Sequence, residues 1–369
     1  MSLINTRMQN MRSGSNLDKN EIRPSRYGAL DMFMMQSADP TGILTDELKE
    51  KAAISIGNTL ETPVINYDGT ISIGNTRNAV IADSENTSAM YTISFTTYAW
   101  GFTIVPAMYS NNEIKIQKDF ETKFNKYNFL FGQTLDSACI SALEAAKTQV
   151  FADSLNYTIT GNTVVVPWSQ RETIIGDINP IMAANDHFMN IHLCGNGGVE
   201  SSIRKMAQKD LYNEVNKTLE YSDKTLHFSS RIANAASVFS TMYGVQAGSL
   251  GILPRFERES LLNTVSRTGH EWGIDTLPML NFPVGTYYYE SVGDYSAIAG
   301  AATADLTRAR KEHYGFAVDV AVLTPYNSDP TTIANPIVKA TVADEAVSDA
   351  LKVQITNETG NPVYTQEVP

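Results

Sequence analysis

The stretch NIHLCGNGGVESSIRKMAQKD, Asn190 to Asp210, concentrates the residue types from which reactive sites are built. His192 and Cys194 are two apart, so a strand there puts both on one face. A cysteine nucleophile needs such a histidine as base, together with oxyanion donors. Asn196 and a helix starting after Gly198 would supply those donors. Neighbouring side chains on one strand rarely align for in-line attack, however, and a thiol in apolar surroundings is usually a packing group. Cys194 and His192 are therefore expected to pack at the end of a strand.

The same stretch invites two other chemistries. GNGGVESS has no P-loop lysine, and Gly195, Gly197 and Gly198 are followed by Glu200 where a dinucleotide fingerprint needs spacing to a further glycine. A carboxylate in the first helical turn already complements the helix dipole in place of a bound anion. Asp186, His187 and His192 suggest a metal, but histidines five apart on a strand face opposite ways. The two cysteines, Cys139 and Cys194, are too few for a disulfide framework or an unaided zinc site. Tyr287–Tyr289 has the rings of a carbohydrate or base platform, yet such a run is more often a strand packing rings on two surfaces. No catalytic, cofactor-binding or metal-binding residue is assigned.

Composition narrows the classes further. Of 369 residues, 43% are hydrophobic and 18% charged, against about 25% charged in an ordinary domain. Neutral polar side chains fill the remaining surface, as suits a protein largely covered by neighbours. The net charge is −12, and the nearest approach to a basic cluster, Thr307–His313 (TRARKEH), contains an acid. Phosphate binding needs concentrated positive charge, so specific nucleic-acid binding is not expected. The opening residues MSLINTRMQNMRSGSNLDKN lack the apolar core of a secretory signal. No apolar run of about 18 residues marks a membrane span. Synthesis in a reducing cytoplasm is expected.

The elements that would position these residues follow from periodicity. Residues 1–40 are polar, punctuated by Ser, Asn and Pro24, and read as a flexible or extended arm. ISIGNT occurs twice, at Ile54–Thr59 and Ile71–Thr76, with Asp68-Gly69 as a hairpin turn between them. Ala89–Trp100 and Gly101–Tyr109 are rich in β-branched and aromatic residues. Residues 54–109 are thus expected to form an elongated antiparallel β-region. From Glu113 to Phe151 apolar residues recur at helical spacing with no proline and only Gly132. That predicts a single helix of about 55 Å. Beyond it come a helix near Thr173–Ala184, a strand His187–Cys194, a helix from about Val199 to Tyr212, and strands at Gly285–Val292 and Tyr314–Tyr326.

An arm, a long β-hairpin, a spine-length helix and a mixed α/β region, in that order, resemble the major capsid proteins of tailed bacteriophages, the Hong Kong 97-like fold. NIHLCGNGGVESSIRKMAQKD is similar to that family's strand, Asn-containing turn and helix, with Ile203, Met206 and Asp210 in the helix phrase. YGFAVDVAVLTPYN resembles the strand that returns the chain to the peripheral domain. The resemblance implies an α+β fold: an N-terminal arm over 1–50 and an extended hairpin region over 51–112. A peripheral domain with the spine helix would follow over 113–160, an axial domain over 161–315, and return strands with a C-terminal tail over 316–369. It implies hexamers and pentamers of one chain forming an icosahedral virion capsid around double-stranded DNA, without enzymatic activity or cofactor. Scaffolding and portal proteins would be partners, the scaffold being separate because no long scaffold-like helix opens the chain. The acidic residues after about Val342 are not required by the family pattern. Two other classes stay open: another self-assembling shell or tail component, and a soluble enzyme using Cys194/His192.

Overall fold

The computed structural model describes residues 3–13, 27–55, 57–66, 87–109, 112–148, 157–187, 190–207, 224–256, 270–278, 280–293, 309–330 and 333–344. Three helices come first: α1 (Leu3–Ser13), α2 (Gly28–Ser37) and α3 (Asp46–Ile54). Strands β1 (Thr59–Ile65), β2 (Ser88–Ser94) and β3 (Thr96–Ile104) lead to the long helix α4 (Glu113–Ala146). Then follow β4 (Thr158–Thr160), β5 (Thr163–Val166), α5 (Ile174–Ala184), β6 (Ile191–Gly195) and α6 (Gly197–Ala207). The described chain continues with β7 (Lys224–Phe228), β8 (Val238–Gln246), β9 (Gly251–Arg255) and β10 (His270–Thr276). It closes with β11 (Pro283–Gly293), β12 (Ala309–Leu323) and β13 (Ile337–Ala343).

Helix α4 organises everything else. Asn112 caps it, its Oδ1 accepting from the Ile114 and Lys115 amides at 3.1 and 3.2 Å, which satisfies two of the orphan donors at a helix start. Its buried stripe, Ile116, Phe120, Phe124, Phe131, Leu135, Cys139 and Leu143, keeps the predicted period. Its one glycine, Gly132, sits under the Tyr27 ring, where a Cβ would come within 2.6 Å. The helix stops at Ala146, short of the expected Phe151. There the Asn335 side-chain amide donates to the Ala146 carbonyl at 2.6 Å, and the Thr148 amide turns away to the Ile337 carbonyl.

A five-stranded antiparallel sheet runs β10-β11-β12-β3, with β9 also pairing β12. One face of it packs on α4. Tyr314, Phe316, Val318 and Val320 of β12 alternate inward, as period-2 burial demands. Phe102 and Phe120 meet edge-to-face at 5.4 Å, and Phe124 meets Phe316 at 5.3 Å. The second sheet, β4-β5-β13-β8-β6-β7, has six strands. Helices α5 and α6 cover one face through Ile174, Ile178, Met182, Val199 and Ile203. Cys194, Tyr243, Val245 and Ile337 join the α4 core. Helix α4 therefore bridges both sheets.

Several expectations need correction. Residues 27–55 are not an extended arm. Helix α2 buries Leu30, Met32 and Phe33 completely, Thr45 caps α3, and α1 buries Ile4 and Met8. The partners that make these helices are distant in sequence, so a polar local composition concealed them. The first ISIGNT copy is not a strand either: Ile54 ends α3 and Thr59 begins β1. The second copy and the Asp68-Gly69 turn lie outside the described residues.

The expected strand Ala89–Trp100 divides at Phe95. Strand β2 pairs β1, whereas β3 crosses to β12. Phe95 anchors the break in a small core with Leu44, Leu60, Ile93, Leu253 and Leu323. After Ile104 the expected second strand gives way to a 3-10 turn over Pro106–Tyr109. The division at 161–315 and 316–369 also fails. Strands β9 to β11 join β3 and β12 beside α4, while β13 lies in the six-stranded sheet. Non-local pairing sorts these strands, and no local signal announces it.

Candidate functional site

The residues with chemical potential are placed as packing groups. Cys194 and His192 do share a face of β6, the one turned towards α2 and α4, while Ile191 and Leu193 face α5 and α6. Cys194 is fully buried and unbridged, as is Cys139. Burial, reinforced by the Asp136 and Asp31 carboxylates, pushes the Cys194 thiol far above its ordinary range, the opposite of what a thiolate nucleophile requires. His192 turns to another partner: its Nδ1 lies 3.3 Å from Nε2 of His227 on the neighbouring strand β7, the rings stacked at 5.5 Å.

The glycine turn is a joint between strand and helix. Asn196 Oδ1 accepts from the Gly198 and Val199 amides at 3.1 and 3.4 Å, capping α6 with the donors that an anion would have used. A Cβ at Gly198 would lie 2.5 Å from the Phe239 carbonyl oxygen, so the helix start is pressed against β8. Glu200 pairs with Arg204 one turn on. His187 Nε2 donates to the Ala334 carbonyl at 3.0 Å and is not joined to His192. Among the described residues no group of three or more His, Cys, Asp or Glu side chains is placed to hold a metal ion.

The tyrosine run alternates as a strand does. Tyr288 is buried against Tyr314. Tyr287 and Tyr289 stand on the other face among His270, Trp272 and His313, with Tyr289 and His313 stacked at 4.1 Å.

What the geometry builds instead is a mechanical frame with three fastenings. The first is Asp136, a fully buried carboxylate on α4. Its Oδ1 accepts from the Leu30 amide at 3.0 Å, capping α2; its Oδ2 accepts from the Ser229 hydroxyl and faces Arg231 at 3.6 Å. Arg231 in turn lies over the Tyr27 ring at 5.0 Å. The second is Glu144, one helical end further on, which accepts from Tyr243 of β8 at 2.7 Å and from Lys339 of β13 at 2.9 Å. Burial opposes its ionisation, but hydrogen bonds from Lys147, Tyr243 and Lys339 outweigh that and hold its pKa down at about 2.

The third fastening is Arg255 at the end of β9. Its Nη2 and Nε donate to Asp319 Oδ2 at 2.7 and 3.2 Å, and its Nη1 donates to Ser55 Oγ and the Gly57 carbonyl. The guanidinium also lies over the Phe95 ring at 4.3 Å. Thr97 donates to the other Asp319 oxygen at 2.6 Å. One arginine thus ties both ends of the β1–β2 ribbon's root to the central strand β12. None of Asp136, Glu144 or Arg255 belongs to a motif. The one available signal was Asp136, an acid lying within the apolar stripe of α4, where an unpaired charge is too costly to be accidental.

The ribbon itself pairs Thr59↔Ser94 through Ile65↔Ser88. Leu60, Val64, Ala89, Tyr91 and Ile93 face inward, and Tyr91 meets Tyr326 at 5.4 Å. The outward face is polar near the root, at Glu61 and Thr92, but apolar further out. There Pro63 pairs with Met90 beside Ile65, with Ile65 69% and Met90 59% exposed. A second exposed apolar group, Ile114 at 82%, stands at the start of α4. Among the described residues no helix is long and apolar enough to cross a membrane.

No protein-family model matches the chain, and no curated protein does. Among solved structures it is similar to one titled Mycobacterium phage Adephagia, 11% identical, covering 93% of this chain and 98% of that one with a TM-score of 0.45. It is similar to one titled Microbacterium phage Oxtober96, 11% identical, covering 91% and 98% with a TM-score of 0.44. A third is the capsid structure of the cyanophage P-SCSP1u, 10% identical, covering 79% and 85% with a TM-score of 0.40.

Proposed function

We propose that the protein is a shell subunit, the major capsid protein of a tailed bacteriophage, and that its work is assembly rather than catalysis. The observation that carries this reading is the β1–β2 ribbon. Among the described residues it is two-stranded, Pro63, Ile65 and Met90 are exposed on its outward face, and its root is held by Arg255. A two-stranded ribbon is marginal alone, and an apolar outer patch costs solubility unless a neighbour covers it. Anchoring the root firmly while leaving the end apolar is what a subunit needs to reach onto a second copy.

The remaining features support the same reading. Helix α4 gives a rigid rod of 34 residues, about 51 Å, fastened to both sheets, so that force applied at the ribbon or at the six-stranded sheet is shared. Repeated contacts between identical subunits close a shell through heterologous interfaces, and many weak contacts add up. Hexamers and pentamers of this chain would form the shell, with scaffolding and portal proteins as partners. A net charge of −12 suits a container that encloses DNA without adhering to it. The test is to replace Ile65 and Met90 with aspartate. The chain should fold as before and lose assembly; normal assembly of that variant would overturn the role given to the ribbon.

A further inference from the structure

A stacked pair of histidines lies where the six-stranded sheet meets α2, and nothing in shell building explains it. Among the described residues strand β7 lies at the edge of its sheet with β6 as its one neighbour, paired in parallel from Ile191↔Lys224 to Gly195↔Phe228. On the face turned towards α2, His192 and His227 bring ring nitrogens to 3.3 Å. At that separation one imidazole must donate and the other accept, so the pair holds with no proton added or with one shared. A second proton would leave two imidazolium ions facing each other with no acceptor between them, a like-charge pair inside a partly buried site.

The surroundings give little relief to a second charge. On β6 the next residue on this face is Cys194, and on β8 it is Tyr243, whose hydroxyl already donates to Glu144. On α4, Asp136 is engaged by Leu30, Ser229 and Arg231. Asp31 of α2 acts electrostatically on Cys194 and is itself raised by burial and by Asp136. Asp39, after α2, is the acid that acts on His192, and it already accepts from the Thr41 amide and hydroxyl. Lys224 at the start of β7 is committed to the Ile175 carbonyl. Burial holds both histidines below their ordinary range, and His192 helps press His227 down to about 4.

The geometry points to a proton-gated latch: His192 and His227 hold β7 and α2 to the six-stranded sheet until both are protonated, and then release them. Release would act on a joint that holds the two cores together. Just past β7, Ser229 bridges to Tyr27 and donates to Asp136, and α2 packs across both β6 and β7. The sign follows from the lowered values. The unfolded or released histidines take protons more readily than the packed pair, so the latch is secure above about pH 6.5 and weakens as pH falls towards 4.

Two measurements on the full-length protein test this. Nitrogen-15 imidazole spectra between pH 7.5 and 4 should show His192 and His227 titrating in two separated steps, both below the ordinary histidine value. Hydrogen exchange over the same range should show amides in 28–39 and 224–229 losing at least tenfold protection, beyond intrinsic exchange, as the second step is passed, while β12 stays protected. His227→Gln and His192→Gln should each abolish that loss, and His187→Gln should leave it intact. Independent titration of both rings near pH 6.5 would overturn the latch, whatever the variants do. So would an unchanged acid loss of protection in either glutamine variant, or no loss in the wild type.

Discussion

Arg255 and Asp319 face each other across adjacent strands, Nη2 to Oδ2 at 2.7 Å, and the same guanidinium reaches Ser55 and Gly57 at the foot of the ribbon. Asp319 belongs to β12, the strand that pairs β11, β3 and β9, so the ribbon's root is tied to the central strand of the five-stranded sheet. An arginine suits this place because its planar fork serves two directions at once.

Replacing Arg255 with alanine should cost about 2 kcal/mol, the scale of lost hydrogen bonds to a charged group, and should loosen the ribbon root more than the core. Urea denaturation gives the first quantity, and hydrogen exchange over 57–66 gives the second. Arg255→Lys should recover only part of either, since one ammonium cannot serve Asp319 and Gly57 together. Full recovery by lysine would show that charge alone matters there.

Asp136→Ala should be more severe, about 3–5 kcal/mol, because it leaves Arg231 in a half-closed site and uncaps α2. Chemical denaturation with a helix signal would measure it. A loss under 1 kcal/mol would remove Asp136 from the frame described above.

Glu144 sets an acid limit. Its folded pKa is depressed to about 2 from an ordinary value of about 4.3. The stability it contributes is complete above pH 4.3 and is lost as pH falls towards 2. Because the carboxylate is partly exposed, the effect is at most about 1 kcal/mol after screening. Glu144→Gln should flatten that part of the stability curve; an unchanged slope between pH 4.3 and 2 would contradict the assignment.

Cys194 should be silent to thiol reagents in the native protein and react only on unfolding, since the buried thiol stays protonated. Cys194→Ser should destabilise by about 1–3 kcal/mol through a buried hydroxyl without abolishing assembly. Rapid labelling of the folded protein at neutral pH would reopen the enzyme reading.

How far the fold could be read from sequence depended on how local the cause was. Helix α4 was legible because its stripe from Ile116 to Leu143 repeats without interruption, and β12 because Tyr314 to Val320 alternate. The strand–turn–helix at Ile191–Ala207 was legible because Asn196 and Gly198 act within a few residues of themselves. Helix α2 was hidden because the carboxylate that caps it, Asp136, lies 106 residues away. The exchange of β9–β11 and β13 between sheets was hidden for the same reason, since register and partner choice in long-range pairing leave no trace in the strand itself. The frame residues Glu144 and Arg255 look like any surface charge until the strands they join are known.

If the ribbon joins subunits as proposed, charging its apolar face must abolish the shell. Negative-stain microscopy with sedimentation velocity, on the wild type and on Ile65→Asp/Met90→Asp side by side, tests it most directly. Closed shells of uniform diameter are expected from the wild type and a folded, unassembled subunit from the variant. A wild-type protein that sediments as a single 40.5 kDa chain at every concentration and shows no particles, or a variant that forms the same shells, would contradict it.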